Sequence, residues 1–190
     1  IETNAHLIKY DSTHGIIQDE IKTSKDGFIV GNHNIKVFAE KDPANIPWGK
    51  VGADVVLECT GIFLDKLSAE KHFKGGAKKV IISAPGKEVD FTIVQGVNSN
   101  ELKKEHNIVS NGSCTTNCLA PVAMILEKTF GINYGYMTTI HSYTGDQKLL
   151  DTLHKDLRRA RSTEGAMIPT STGAATVSYT HLTLPTNREV

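Results

Sequence analysis

The sequence predicts an α/β fold, an open and mostly parallel β-sheet with helices on its faces. Two observations lead to this prediction. From Val51 onward, short apolar runs that end in small residues alternate with polar, helix-like stretches. The chain has 190 residues, of which 39% are hydrophobic, so it is long enough and apolar enough to bury a core.

The strands are predicted in order from their apolar runs. The first lies in ADVVLECTG and the second in AKKVIISAPG, with a helix-like stretch at residues 65–73 between them. Two shorter strands are predicted in FTIVQGV and NIVSNG, and the segment SNELKKEH between them opens with a Ser or Asn helix cap. Upstream, GFIVGNHNIKVFAE predicts a β-hairpin with its turn at residues 31–34.

A longer helix is predicted after the motif SNGSCTTNCLAP. Apolar residues recur there at helical spacing: Leu119, Val122, Leu126 and Phe130. We expect this helix to begin near Ser113 and to be kinked at Pro121, because a proline inside a helix costs about 3 kcal/mol. The segment YGYMTTIHSYTGD that follows is predicted to be β-rich.

Composition excludes several classes of function. Lys plus Arg and Asp plus Glu number 21 each, so no net charge favours nucleic acid or a membrane surface, and neither is expected as a partner. No apolar run approaches the ~18 residues of a membrane-spanning helix. Three cysteines do not make a disulfide framework and suit a reducing, cytoplasmic compartment. The first residues show neither an initiator Met nor a signal peptide, so we expect the chain to begin at an internal point of a longer protein.

The two cysteines of SNGSCTTNCLAP allow four interpretations: a metal clip, a disulfide, a reactive thiol or simply a helix start. No second Cys or His pair accompanies Cys114 and Cys118, so no metal site is expected. Cys118 is interpreted as a small buried thiol. At a helix N-terminus the dipole and unpaired N–H groups lower the pKa of a thiol such as Cys114, which makes it a candidate reactive thiolate; a buried structural cysteine is the alternative.

A thiolate nucleophile needs a base within hydrogen-bond reach. Most of the eight histidines lie in polar surroundings and are interpreted as surface or loop residues: His6, His14, His33, His72, His106 and His154. His141 differs because it ends the apolar MTTI run, and strand ends are where α/β sheets hold ligands. A purely structural role for His141 is the alternative.

Other segments could hold a ligand. The strand ends LECTG and IISAPG consist of small residues that let the backbone approach a flat or anionic molecule. The sequence contains neither a G-x-G-x-x-G turn nor a P-loop. The basic stretch LRRAR is either solvated or interfacial, or it holds a phosphate through an arginine.

A series of motifs in one order identifies a family resemblance. The series is HLIKYDSTHG, WGKVGADVVLECTGIF, GGAKKVIISAPGK, SNGSCTTNCLAP, MTTIHSYTGDQ, HKDLRRAR and IPTSTGAA. It resembles phosphorylating glyceraldehyde-3-phosphate dehydrogenase of the bacterial type, over about residues 4–175. The resemblance implies a partial Rossmann-type, NAD-binding domain at 1–113 without its first βαβ unit. It also implies the start of an α+β catalytic domain at 114–175, and a tail at 176–190 that is not native.

The resemblance implies a role for each matched residue. Cys114 matches the catalytic nucleophile and His141 matches the base that activates it. The remaining matches divide between anions and the dinucleotide. The site of the attacking phosphate matches Ser113, Thr115, Thr172 and Gly173, and the substrate's own phosphate matches Thr144, with Arg159 as a further anion-binding residue. The positions lining the dinucleotide match Lys41, Thr60, Gly61 and Ser83.

The same resemblance implies the activity, an oxidoreductase of glycolysis. It would convert D-glyceraldehyde 3-phosphate and inorganic phosphate to 1,3-bisphosphoglycerate, through a cysteine hemithioacetal and a thioester, with hydride transfer to NAD. Leu153 replaces the proline usual in strictly NAD-dependent members, so NADP stays open as the cofactor. The full-length protein is expected to be a cytoplasmic homotetramer, whereas the 190-residue fragment itself is expected to be inactive. Erythrose-4-phosphate dehydrogenase, a thiol hydrolase and a non-catalytic fragment are the alternatives.

Overall fold

The computed structural model describes residues 1–174, so the expected tail at 176–190 lies outside the described residues. Its helices and strands follow in chain order: α1 Glu2–Lys9, β1 Tyr10–Asp11, β2 Gly15–Ile16, β3 Ile21–Ser24, β4 Gly27–Val30, β5 His33–Lys36, β6 Val55–Glu58, α2 Lys66–Ala69, α3 Lys71–Lys74, β7 Lys79–Ile82, β8 Phe91–Thr92, β9 Ile108–Ser110 and α4 Cys114–Phe130. Short 3-10 helices lie at Pro43–Asn45, Trp48–Val51 and Ser99–Glu101.

The predicted hairpin is confirmed, with a tighter turn than expected. Strands β3, β4 and β5 form an antiparallel sheet in that order. Val30 pairs with His33, so only Gly31 and Asn32 form the turn, and Asn34 already lies in β5. Gly31 has a φ of 55°, the left-handed conformation that two-residue hairpin turns require and that glycine adopts without strain. Strands β1 and β2 form a separate antiparallel pair.

The α/β prediction is confirmed. A four-stranded sheet has the order β6-β7-β9-β8, and β8 pairs with β9 in parallel, with Phe91 opposite Val109. The predicted FTIVQGV strand shrinks to two residues because the buried Asn98 ends it. The Asn98 side chain donates to the Thr92 carbonyl over 3.0 Å and accepts from the Val94 N–H over 2.8 Å.

The helix-like stretch at 65–73 forms two short helices, α2 and α3, and SNELKKEH forms only one 3-10 turn. The chain divides into two compact units, of which the first contains Ile1–Leu57 and Leu67–Val80. In this unit the buried core includes Phe28 and Val80. His72 is 3% exposed and accepts a hydrogen bond of 3.2 Å from the Trp48 indole N–H. The interpretation of His72 as a surface residue is therefore wrong, because its ring packs beside the Trp48 indole.

The second unit contains Glu58–Lys66 and the chain from Ile81 onward. Val94 and Ala120 are buried together there, with Val97 packed against them. Helix α4 begins as predicted, with Ser113 as its N-cap. Pro121 lies inside this helix, and the kink expected there stays a prediction.

The prediction of a β-rich segment after α4 is wrong. Residues 132–173 form turns and bends without a helix or strand in the described chain. Ile140 is 92% exposed and Tyr136 is fully exposed. A strand is stable only when a neighbouring strand pairs with its backbone, and the described residues supply none here. Within residues 1–174, no helix combines the length and apolarity that crossing a bilayer requires.

Candidate active site

A cleft of about 890 Å³ lies in the second unit. It collects every residue predicted to act in catalysis or to bind phosphate: Ser113, Cys114, Thr115, His141, Thr144, Arg159, Thr172 and Gly173. The N-terminus of α4 and the irregular segments around His141 and Thr172 form most of its lining, to which Pro85 and Arg159 also belong. Residues that are far apart in the sequence therefore share one solvent-accessible space.

Cys114 and His141 are in direct contact. The Cys114 Sγ lies 3.1 Å from the His141 Nε2, within hydrogen-bond distance for sulfur. The other ring nitrogen, Nδ1, lies 2.6 Å from the Ser142 carbonyl oxygen. Because a carbonyl only accepts, Nδ1 carries the proton, which leaves the Nε2 lone pair facing the thiol in the neutral ring. This tautomer is the one that can take the thiol proton.

The pKa values of both residues are shifted toward the charged form of the pair. The hydrogen bond from His141 is the largest influence on the pKa of the Cys114 thiol and lowers it, although desolvation opposes it. The backbone N–H of Thr115 contributes to the same lowering. The pKa of His141 is raised, first by its hydrogen bond to the Ser142 carbonyl and then by Cys114. Thiolate and imidazolium therefore stabilise each other, as an activated nucleophile requires.

Hydrogen bonds of the residues on both sides of Cys114 explain why the thiol lies at the start of a helix. The Ser113 Oγ accepts the Thr116 N–H over 2.9 Å, which satisfies one of the N–H groups that a helix start leaves without a partner. Gly112 has a φ of 67°, a left-handed conformation that glycine adopts readily. The Asn117 amide donates to the Asn111 carbonyl over 2.6 Å and to the Ser113 carbonyl over 2.9 Å. These local hydrogen bonds account for the start of α4 at the position that the sequence predicts.

A cationic side chain belongs to the cleft lining. Arg159 forms an ion pair with Asp146, and its Nε donates to the Thr170 Oγ1 over 2.8 Å. The hydrogen bond from Arg159 is the largest cause of the lowered pKa of Asp146. Thr144 donates its N–H and its hydroxyl to the Gln147 Oε1, over 2.7 and 2.9 Å. Asp146 and Gln147 were not singled out by the sequence reasoning, although both belong to the MTTIHSYTGDQ motif.

Three of the predicted dinucleotide residues lie at adjacent strand ends. Thr60 and Gly61 follow β6 and Ser83 follows β7, and all three are exposed. The buried Glu58 joins them: its carboxylate accepts from the Thr60 N–H over 2.7 Å, and its carbonyl accepts from the Ser83 N–H over 3.0 Å. Sequence reasoning missed Glu58, a carboxylate inside an apolar strand. Lys41 lies exposed in the first unit.

The prediction that Cys118 is buried is wrong. All three cysteines are free thiols, and all are exposed. Helix α4 buries Thr116 and Ala120, which are four residues apart on one face. At about 100° per residue, position 118 points about 200° away from Thr116, toward the opposite side of the helix. In residues 1–174, no group of three or more His, Cys, Asp or Glu side chains could hold a metal ion.

Two family models match parts of the chain. Residues 1–66 match the family model described as glyceraldehyde 3-phosphate dehydrogenase, NAD binding domain. Residues 113–185 match the model described as glyceraldehyde 3-phosphate dehydrogenase, C-terminal domain. The chain belongs to the glyceraldehyde-3-phosphate dehydrogenase family.

Curated members of the family are similar over most of the chain. A plasmid glyceraldehyde-3-phosphate dehydrogenase of Cupriavidus necator is 56% identical over 174 residues, which cover 91% of this chain and 52% of the relative. Glyceraldehyde-3-phosphate dehydrogenase 1 of Bacillus cereus is 55% identical over 175 residues, which cover 92% of this chain and 52% of the relative. The glyceraldehyde-3-phosphate dehydrogenase of Geobacillus stearothermophilus is 54% identical over 174 residues, which cover 91% of this chain and 52% of the relative. The chain spans about half the length of these relatives.

The two family matches divide the predicted site residues. Cys114 and His141 fall within the match to the C-terminal domain of glyceraldehyde-3-phosphate dehydrogenase. Lys41 and Thr60 fall within the match to its NAD-binding domain, whereas Ser83 lies between the two matches. The C-terminal match continues to residue 185, and the domain boundaries expected at 113 and 175 stay predictions.

Proposed function

We propose that this chain is part of a phosphorylating glyceraldehyde-3-phosphate dehydrogenase and carries its covalent chemistry. One observation supports this most strongly: the 3.1 Å contact between Cys114 and His141, in a cleft that also contains hydroxyl groups and an arginine. A thiolate is a strong nucleophile toward an aldehyde carbonyl. The hydroxyls and the guanidinium suit a substrate that carries phosphate.

The first step is addition of Cys114 to the aldehyde carbon of glyceraldehyde 3-phosphate. A carbon–sulfur bond forms, the carbonyl π bond opens, and the new alkoxide takes the proton from the His141 Nε2. The hydroxyl of this hemithioacetal then returns its proton to the same nitrogen as hydride leaves the carbon, which produces a thioester. The Ser142 carbonyl keeps the ring of His141 oriented through both transfers.

The second step is attack of inorganic phosphate on the thioester. The carbon–sulfur bond breaks, 1,3-bisphosphoglycerate leaves, and Cys114 returns to its thiolate form. We assign the attacking phosphate to Ser113, Thr115, Thr172 and Gly173, and the substrate's own phosphate to Thr144 with Arg159. In support, all six line the same cleft as the nucleophile. Arg159 can turn from Asp146 to a phosphate because a guanidinium pairs with either anion.

NAD, when bound, accepts the hydride. The residues at the ends of β6 and β7 fit a dinucleotide, because exposed small residues at the carboxyl edge of a sheet let such a ligand approach the backbone. A Cβ added to Gly61 would meet nothing within 4 Å, so the space beside this backbone is open. We therefore assign Thr60, Gly61 and Ser83 to cofactor binding, with Lys41 as a further contact. Measuring the activity of the complete enzyme with NAD and with NADP would show which of the two cofactors it uses.

The remaining assignments concern the whole protein. We propose a cytoplasmic homotetramer that functions in glycolysis, and we expect residues 1–190 on their own to have negligible turnover. In support, large apolar side chains such as Phe130, which is 80% exposed, have no cover in the described structure. This expectation would be contradicted if residues 1–190, purified on their own, were soluble and reduced NAD.

The test uses the complete enzyme that contains these residues. Cys114→Ser is expected to abolish reduction of NAD by glyceraldehyde 3-phosphate and phosphate, because a serine hydroxyl is not ionised near neutral pH. Cys118→Ser is the matched control, since it removes an exposed thiol from the same helix, and it should retain most of the activity. Comparable losses in both variants, or a preference for erythrose 4-phosphate over glyceraldehyde 3-phosphate, would contradict the proposal.

A further inference from the structure

Ser110 is the last residue of β9, and its side chain is fully buried. Its hydroxyl donates to the Ala84 carbonyl over 2.8 Å. It also accepts the N–H groups of Gly86 and Gly112, each over 3.0 Å. A serine hydroxyl has one donor and two acceptor sites, so this one uses its full hydrogen-bonding capacity on backbone groups.

The three partners belong to two loops that border the cleft. Ala84 and Gly86 flank Pro85, which lines the cleft, and Gly112 lies two residues before Cys114. The first loop packs tightly on Ser110: a Cβ added to Gly86 would lie 3.1 Å from the Ser110 Cβ. One buried hydroxyl therefore links the loop after β7 to the turn that leads into α4.

A second side chain holds the same turn from the helix. Asn117 lies one turn into α4, and its amide bonds to the carbonyls of Asn111 and Ser113. Ser110 and Asn117 thus fix the backbone from residue 111 to residue 113 from opposite ends. Neither is among the partners of the Cys114 sulfur, which are His141 and Thr115.

We propose that Ser110 is a positioning residue that, together with Asn117, holds the Cys114 thiol in register with His141. The proposal rests on the proposed function, because it assumes that the Cys114–His141 pair is the reactive centre. Without the Ser110 hydroxyl, the Gly112 N–H loses its partner and the turn is free to rotate about a glycine. The 3.1 Å contact between Sγ and Nε2 then loses its fixed geometry.

The test measures the reactivity of Cys114 directly in the complete enzyme. The variants are Ser110→Ala and Asn117→Ala, and the matched control is Asn98→Ala. Asn98 is also buried in the second unit and also bonds two backbone groups with its side chain, but it does not line the cleft. The readout is the rate of iodoacetamide alkylation against pH, resolved by peptide mass spectrometry because Cys59 and Cys118 are exposed as well.

We expect both Ser110→Ala and Asn117→Ala to slow alkylation of Cys114 near neutral pH by about tenfold, since misplacement of a reacting group by about 1 Å costs up to 100-fold in rate. Their pH midpoints should move upward, and kcat should fall more than KM changes. Asn98→Ala should lower the melting temperature but keep the wild-type alkylation profile. If Ser110→Ala does not fold, Asn117→Ala, at a half-buried site, carries the test.

Two outcomes would overturn the inference. One is a wild-type profile in folded Ser110→Ala or in Asn117→Ala, and the other is an equal shift in Asn98→Ala. A different result would overturn the proposed function instead: wild-type Cys114 reacting no faster than Cys118 at neutral pH. The two failures are therefore distinguishable in one set of measurements.

Discussion

Replacement of His141 by asparagine tests the centre of the site. The change removes the ring that lies 3.1 Å from the Cys114 Sγ and leaves a side chain that cannot accept a proton. A positioned general base contributes about 10²–10⁴-fold to a rate. His141 is solvent-exposed, so water can replace part of its role as a proton acceptor. We therefore expect kcat of the complete enzyme to fall by about 10²–10³-fold, near the lower part of that range.

The same variant has a defined pH signature. The pKa of the Cys114 thiol is lowered, chiefly by its hydrogen bond with His141, and the pKa of His141 is raised, so both shifts favour the thiolate–imidazolium pair over the neutral pair. The ion pair is lost as pH falls through the lowered pKa of Cys114, which protonates the thiolate, and as pH rises through the raised pKa of His141, which removes the imidazolium proton. In His141→Asn the lowering influence is gone, so alkylation of Cys114 should show a single transition at higher pH.

The assay is iodoacetamide alkylation of Cys114 from pH 5 to 10, with NAD reduction measured on the same samples. His14→Asn is the control, because His14 is an exposed histidine in the first unit that bonds Asp11 rather than a thiol. It should keep the wild-type alkylation midpoint and turnover. An unchanged alkylation midpoint in His141→Asn would refute the assignment of His141 as the group that activates Cys114.

Two further predictions concern the helix cap at Ser113 and the proposed anion-binding role of Arg159. Ser113→Ala removes the acceptor of the Thr116 N–H, so the free energy of unfolding of the complete enzyme, measured in urea, should fall by about 1 kcal/mol. Ser113→Thr is the control because it keeps the hydroxyl. Equal losses in both variants would contradict the capping role. Arg159→Leu should raise KM for glyceraldehyde 3-phosphate by about tenfold, the effect of losing a charge-assisted hydrogen bond of about 1.4 kcal/mol, with a smaller effect on kcat. Arg161→Leu is the control in steady-state assays, because Arg161 pairs with Asp151 and does not line the cleft. An unchanged KM in Arg159→Leu would exclude Arg159 from the proposed anion site.

Much of the local structure was predictable because its causes are local. The hairpin follows from apolar residues on both sides of the turn that begins at Gly31, and the start of α4 follows from Ser113 before an apolar repeat. The strands β6, β7 and β9 lie inside the apolar runs that predict them. Cys114 was a candidate for the same reason, since neighbouring residues determine the chemical character of a cysteine at a helix N-terminus, and the family resemblance added the proposed role of nucleophile.

The failed predictions depend on contacts between distant residues. His72 is in a polar stretch of sequence, yet it is buried because Trp48 reaches it across 24 positions. Cys118 has the small, apolar character of a buried residue, yet it is exposed, whereas Thr116 and Ala120 on another face of α4 are buried. The apolar MTTI run has strand-like composition but has no described neighbouring strand to pair with it.

The sequence by itself therefore determined the α/β class, the hairpin and the helix start, and it singled out Cys114 as the candidate reactive cysteine. Only the tertiary structure decided that His141 faces Cys114 at 3.1 Å, and that the Ser110 hydroxyl links two loops beside them. The reason is physical: helix periods, caps and turns depend on residues a few positions apart. A hydrogen bond between residues 27 positions apart depends on where the packed chain brings them.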